Sequence, residues 1–156
     1  MKHLLKLTLL AAMVLTAVSC SEKTAESELL DVTAHNISGV WRLAEWSGGE
    51  LADGTYVYVE FTRRDKEFTL YDNLTSFSAR RRTGRYNITL DESLGAAVIR
   101  GLYDYGAGDW QHRYMVTGLT AERMTWTAVD DPADVSVYHR CAAVPAEILS
   151  ELPAVE

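Results

Sequence analysis

The chain has only 3 prolines among 156 residues, and none precedes Pro132. Proline removes a backbone donor and is confined to the edges, turns and bulges of sheets, so a body without it leaves uninterrupted strand pairing open. Cysteine is equally scarce, with Cys20 and Cys141 alone. If Cys20 is used up at the N-terminus, as argued below, no internal disulfide remains and the fold must stand on packing. Positive charge is short as well: 15 Lys and Arg stand against 22 Asp and Glu, a net charge of −7. Nothing in that balance recruits nucleic acid through a whole-molecule field.

Catalytic and metal-binding patterns are also missing. His35, His112 and His139 stand at spacings that match no His-x-x-x-His motif, and there is no Cys-x-x-Cys pair. No glycine-rich phosphate loop, Gly-x-Ser-x-Gly elbow or Ser-x-x-Lys motif occurs. The expectation is a non-enzymatic protein with no catalytic residue, no metal and no cofactor. Asp72 and Glu60 are the one acid pair that a barrel interior could bring face to face for glycosidase chemistry; a wet face or a rim is the expected place for both.

Leu7 to Val18 is a twelve-residue uncharged run behind Lys2, His3 and Lys6. It is too short to span a bilayer, which takes about 20 apolar residues, and reads as a secretory signal. Its end, Ala17-Val18-Ser19-Cys20, resembles a bacterial lipobox, in which small residues admit a peptidase that cuts before an acylated cysteine. Residues 1–19 are therefore expected to be a signal peptide, with Cys20 the lipid-bearing N-terminus. The protein is then expected in the cell envelope, anchored to the outer membrane rather than spanning it. The three Asn-x-Ser/Thr sequons, beginning at Asn36, Asn73 and Asn87, carry no weight in that setting.

Residues 20–36, rich in Ser, Glu and Lys, are expected to form a flexible tether, with a helical turn near Glu26–Leu30. Beyond it, β-branched and aromatic residues recur in short runs parted by Gly, Asp and Asn. Eight strands are predicted: Gly39–Trp46, Thr55–Thr62, Glu67–Asp72, Arg82–Thr89, Ala96–Tyr105, Trp110–Leu119, Arg123–Val129 and Val135–Cys141. Short separators imply hairpins, and joining the first strand to the last removes the exposed edges. The fold class is all-β, an eight-stranded antiparallel up-and-down barrel over residues 37–142. Short terminal helices are open to it, and 143–156 form a tail or a helix packing Ile148, Leu149 and Leu152 on the barrel.

Period-2 alternation gives the inward face. It selects Trp41 and Leu43, Val59 and Phe61, Phe68 and Leu70, Tyr86 and Ile88, Tyr114 and Val116, and Met124 and Trp126. With 15 aromatic residues available, the candidate interior for a small apolar or amphipathic ligand is Tyr86, Tyr114, Trp126, Phe61 and Phe68. Side chains alone also fill an eight-stranded barrel, and a filled barrel points to a protein partner, such as a secreted peptidase bound through the loops. A glycan-binding accessory module is a further reading. His112 is expected as a rim or core histidine or a polar ligand contact. Arg80-Arg81-Arg82 with Arg85 is either a charged edge that resists sheet-to-sheet aggregation or a grip on an anionic partner.

Several of these residues carry a family resemblance. Gly39-Val40-Trp41, after Asn36-Ile37-Ser38, resembles the Gly-x-Trp opening of lipocalins, and Tyr138-His139-Arg140 resembles their Arg-bearing terminal strand. The stretch 38–141 looks like the lipocalin-like lipoproteins common in Bacteroidetes, through Gly84-Arg85-Tyr86, Tyr114-Met115-Val116 leading to Gly118-Leu119-Thr120, and Met124-Thr125-Trp126. The resemblance implies that Trp41 closes the narrow end of the barrel and that Arg140 lies across it as a cation–π partner. The longer internal Thr-Asp-Tyr motif of animal lipocalins is missing, so their ligands are not implied.

Overall fold

The computed structural model describes residues 27–75 and 78–153. The expected signal peptide and Cys20 lie outside the described residues. Nine strands form one antiparallel sheet: β1 Gly39–Trp46, β2 Gly49–Glu50, β3 Val57–Phe61, β4 Glu67–Asp72, β5 Arg80–Asp91, β6 Ala96–Tyr103, β7 Tyr114–Thr117, β8 Arg123–Ala128 and β9 Val135–Cys141. Each pairs with its sequence neighbours, apart from β2, a two-residue extension of β1, and β1 also pairs with β9. The result is the closed eight-stranded up-and-down barrel that the short separators predict, with no free sheet edge among its main strands.

Three of the predicted strands, Gly39–Trp46, Glu67–Asp72 and Val135–Cys141, have the observed bounds. Three others lose one to three end residues, and two shift further. The strand expected from Arg82 starts at Arg80 and runs to Asp91, because Asp72 and Tyr71 of β4 supply partners for Arg80 and Arg81. The strand expected from Trp110 starts at Tyr114, and residues before it fold across the barrel mouth instead, joined to β6 through the Leu102–Asp109 bridge.

The inward face follows the alternation. All twelve residues selected by period 2 belong to one core, which also takes in Ile37, Val57, Ile99, Leu119 and Tyr138. A second apolar layer lies outside the barrel, where Val40, Tyr58 and Tyr71 are covered by Val144 and by Ile148 of the helix α2, Ala146–Glu151. Leu152 joins this layer, but Leu149, expected to pack with it, points to solvent because the single helical turn turns only one face to the sheet.

The N-terminal side departs further from expectation. Composition assigns residues up to Asn36 to a tether and places a turn near Glu26–Leu30, yet residues 27–30 are not helical and the helix α1 is Ala34–Ile37, capped by the Thr33 side chain. Leu30, Val32 and Ala34 pack on the barrel core, Leu30 N donates to Leu119 O at 2.8 Å, and Ile37 is fully buried. These few apolar side chains are enough to fold the segment across the end of the barrel.

At that end Trp41 is completely buried and its Nε1 donates to Ile37 O at 2.8 Å. Arg140 places its guanidinium over the indole, Cζ lying 4.1 Å from the ring centroid. The same guanidinium donates to Ser38 O at 2.5 Å, Asn36 O at 2.6 Å and, through Nε, Ala121 O at 2.7 Å. Arg140 thus ties the α1 segment and the β7–β8 turn to the Trp41 plug. Gly39, at φ +115°, has its missing Cβ where Arg140 Nη1 would stand 2.9 Å away, so both its backbone conformation and its bareness serve this clamp.

The expected outcome of replacing Trp41 by Ala is a loss of about 3–5 kcal/mol, since a large buried ring leaves a cavity. Arg140→Ala should cost about 2–3 kcal/mol, because carbonyls at the closed end lose a charged donor. Urea unfolding of both single variants and the double variant checks the link: the losses should fall short of additive by about 1 kcal/mol, and additivity would mean that the two side chains do not act together.

Candidate functional site

The two ends of the barrel differ. Toward the Trp41 end, Phe61 is buried, its ring meets Tyr86 edge-on at 5.0 Å, and Tyr86 Oη donates to Thr62 O at 3.1 Å. Toward the other end a cavity of about 870 Å³ opens, within the range that holds a small ligand. Of the five residues proposed from the sequence, Phe68, Tyr114 and Trp126 line this cavity. Phe61 and Tyr86 do not; they belong to the packing beneath it, because their strand positions lie closer to the closed end.

The cavity wall is aromatic. Trp126 is its centre, with ring centroids at 4.8 Å from Tyr138, 5.4 Å from Tyr114, 5.5 Å from Trp110 and 6.0 Å from Phe61. Trp110 also meets Phe68 edge-on at 5.0 Å, and Phe68 meets Tyr103 at 5.5 Å. Such pairs each add about 0.5–1.5 kcal/mol beyond burial, so the wall is held before any ligand arrives.

Three members of this wall are missing from the twelve inward residues that alternation selects. Trp110 lies in the loop before β7, and it reaches inside because Gly101 leaves room: a Cβ there would lie 2.1 Å from the indole. Trp110 N also donates to Gly101 O at 2.9 Å. Trp46 would point outward if β1 alternated regularly from Trp41. A register shift between Leu43 and Glu45 against β9 turns it back toward the mouth, opposite Ser136. There its Nε1 donates to Asp134 Oδ1 at 2.7 Å, and it lines the cavity. Tyr138 is an in-facing residue of β9 that the alternation of β8 alone did not reach. Gly101, two positions before Tyr103 on the same face, was the one sequence sign of a large ring pressed against the sheet.

Polar groups at the mouth come from opposite walls. On one wall Asp72, expected on a wet face or rim, is inside the barrel and 1% exposed. It shares the inward side of β4 with Phe68 and Leu70, while Glu60 is on the outer side of β3, so the two acids never meet. Asp72 accepts from Arg80 Nη2 through Oδ1, and from Arg82 Nη2 through Oδ2 at 2.8 Å. Arg82 in turn lies over Tyr103, its Cζ 5.0 Å from the ring centroid. The arginine cluster is therefore split by strand parity: Arg81 faces outward beside Tyr71, and Arg80 and Arg82 face inward. A charged outer face describes Arg81 and Arg85.

Across the mouth, the β8–β9 turn brings Asp131 and Asp134 to the rim, while Asp109, in the loop before β7, stands beside β6 through its bridge to Leu102. His112 Nδ1 lies 2.8 Å from Asp130 Oδ1, and this hydrogen bond holds the Asp130 carboxyl below the usual carboxylate range. His112 is thus a rim histidine with a partner. Burial, with help from the Asp134 charge, pushes the Tyr114 hydroxyl up to about 12. Tyr138, more deeply buried, is raised further in the same direction by the loss of solvation.

No family model and no curated protein matches this chain. Among solved structures it is similar to a lipocalin-like protein from Bacteroides uniformis ATCC 8492, with 14% identity and a TM-score of 0.49, covering 68% of this chain and 99% of that one.

The buried tyrosines make stability depend on alkaline pH. A tyrosine whose folded pKa exceeds its unfolded value of about 10 adds stability below pH 10 and loses it as pH rises toward the folded value. Urea midpoints should therefore hold up to about pH 10 and fall steeply between pH 10 and 12. The Tyr114→Phe, Tyr138→Phe double variant should show a shallower fall, and an unchanged slope would mean that these hydroxyls are solvated.

Proposed function

We propose that the protein is a non-enzymatic binding protein of the cell envelope that takes one small apolar or amphipathic ligand through the open end of its barrel. The observation that carries this reading is the cavity of about 870 Å³, bounded by the Trp110, Trp126, Tyr114 and Phe68 rings and opening away from the Trp41 plug. An aromatic wall with a few polar groups at the rim suits a lipid-like or aromatic molecule better than a free sugar. The titratable groups beside it are occupied in ways that favour binding over catalysis: Asp72 holds two arginines, Asp134 accepts from Trp46, and His112 meets Asp130. A filled barrel acting only through its loops on a protein partner has less support, since ring contacts surround an opening rather than fill it.

The lipobox-like Ala17-Val18-Ser19-Cys20 supports an N-terminal lipid on Cys20 that holds the barrel at the outer membrane. Labelled palmitate should be incorporated by the native chain in its host and not by the Cys20→Ala variant, whose signal segment should stay attached. Label on the variant would remove the anchor from this account.

For the cavity, the full chain carrying Cys20→Ser, so that no acyl chain competes, should bind an environment-sensitive apolar dye at one saturable site. Trp126→Ala or Tyr114→Ala should change the affinity by at least about tenfold, roughly 1.4 kcal/mol. Folded protein that binds no apolar probe saturably would favour the protein-partner reading.

A further inference from the structure

Among the charged groups that line the cavity, Arg82 is set apart by how it is held. Its Nη2 donates to a carboxylate that is itself almost wholly buried, and its guanidinium plane is supported by the Tyr103 ring. The bond to Asp72 is the one side-chain hydrogen bond of Arg82 among the described residues. A guanidinium carries five N–H donors in a fixed fork, so donors remain for a further acceptor. The charges point the same way: two inward arginines share the single carboxylate of Asp72, which leaves one positive charge on this wall.

The rim acids do not cancel it. Asp109 and Asp131 are exposed to solvent and Asp134 is engaged by the Trp46 indole. Asp131 and Asp134 stand on the turn between β8 and β9, and Asp109 stands to the side, bridged to Leu102 of β6. The barrel order sets β9 directly across from β5, where Arg82 is located. The mouth is thus basic on one wall and acidic on the opposite one, above an aromatic interior. An amphiphile with an anionic head meets attraction at Arg82 and repulsion across the opening, which fixes both its sign and its orientation.

Resting on the binding function proposed above, we propose that the ligand is an amphiphile with an apolar tail and a single anionic head, a carboxylate or a phosphate, and that Arg82 receives the head. The tail lies along Trp110 and Trp126, and the head stays at the mouth beside Tyr103. Asp72 and Arg80 act as positioning residues that hold the Arg82 fork in place before binding.

The test uses four probes with the same tail, dodecanoate, dodecyl phosphate, dodecanol and dodecylammonium, titrated into the full chain carrying Cys20→Ser at low ionic strength. One of the two anions should bind at least about tenfold more tightly than dodecanol, and the tighter of the two identifies the head. Arg82→Gln should bring that anion down to the affinity of dodecanol while leaving dodecanol itself unchanged. Arg82→Lys, which keeps a cation beside Asp72 and so guards against a folding defect, should retain part of the preference. Equal binding of dodecanol and both anions, tightest binding of dodecylammonium, or equal weakening of every probe by Arg82→Gln would overturn the anionic head and leave the binding cavity standing. If none of the four probes binds to folded protein, the cavity reading falls and the head assignment falls with it.

Discussion

The contact between Arg140 and Trp41 sets the direction of the whole barrel. One guanidinium covers the buried indole and holds carbonyls from the α1 segment and the β7–β8 turn, so three pieces of chain converge on one closed end. The donors of Arg140 satisfy carbonyls that would otherwise face an apolar core, and its charge is met by the ring face. With that end sealed, any space left between the strands opens at the other.

The opposite end shows how space is kept in a barrel small enough for side chains to fill. Rings stand against the wall in edge-on and tilted pairs rather than across the centre. Gly101 gives Trp110 a seat on the sheet, and the register shift in β1 moves Trp46 to the rim. Charge is placed by strand parity: the inward positions of β4 and β5 that hold Phe68 and Leu70 deeper in the barrel hold Asp72, Arg80 and Arg82 at the mouth. A buried carboxylate is tolerable there because two cations share it.

Strand number, order and the main inward face were legible because alternation of Val, Phe, Leu and Trp with polar residues is a local property that survives into the sheet. Trp41, Leu43, Val59, Phe68 and Trp126 are where period 2 puts them. What stayed hidden depended on partners remote in sequence. The same parity that places Phe68 and Leu70 inside carries Asp72 inside, but a lone acid among apolar neighbours reads as a rim residue until Arg80 and Arg82 are known to meet it from the neighbouring β5. Trp46 needed a bulge against β9, and Trp110 needed the gap at Gly101. Leu30, Val32 and Ile37 sit among polar residues, and only the Trp41 end of the barrel beside them turns a tether-like composition into a packed cover. For Phe61 and Tyr86 the face was legible and the depth was not, since depth depends on the stagger of the strands.

Native mass spectrometry of the protein purified from its own host tests the central claim, that a barrel plugged at the Trp41 end holds a small molecule at the other. The account predicts a stoichiometric adduct of small-molecule size that persists through gentle transfer and is released on unfolding. A stoichiometric protein partner, with no small-molecule adduct on the folded chain, would contradict it.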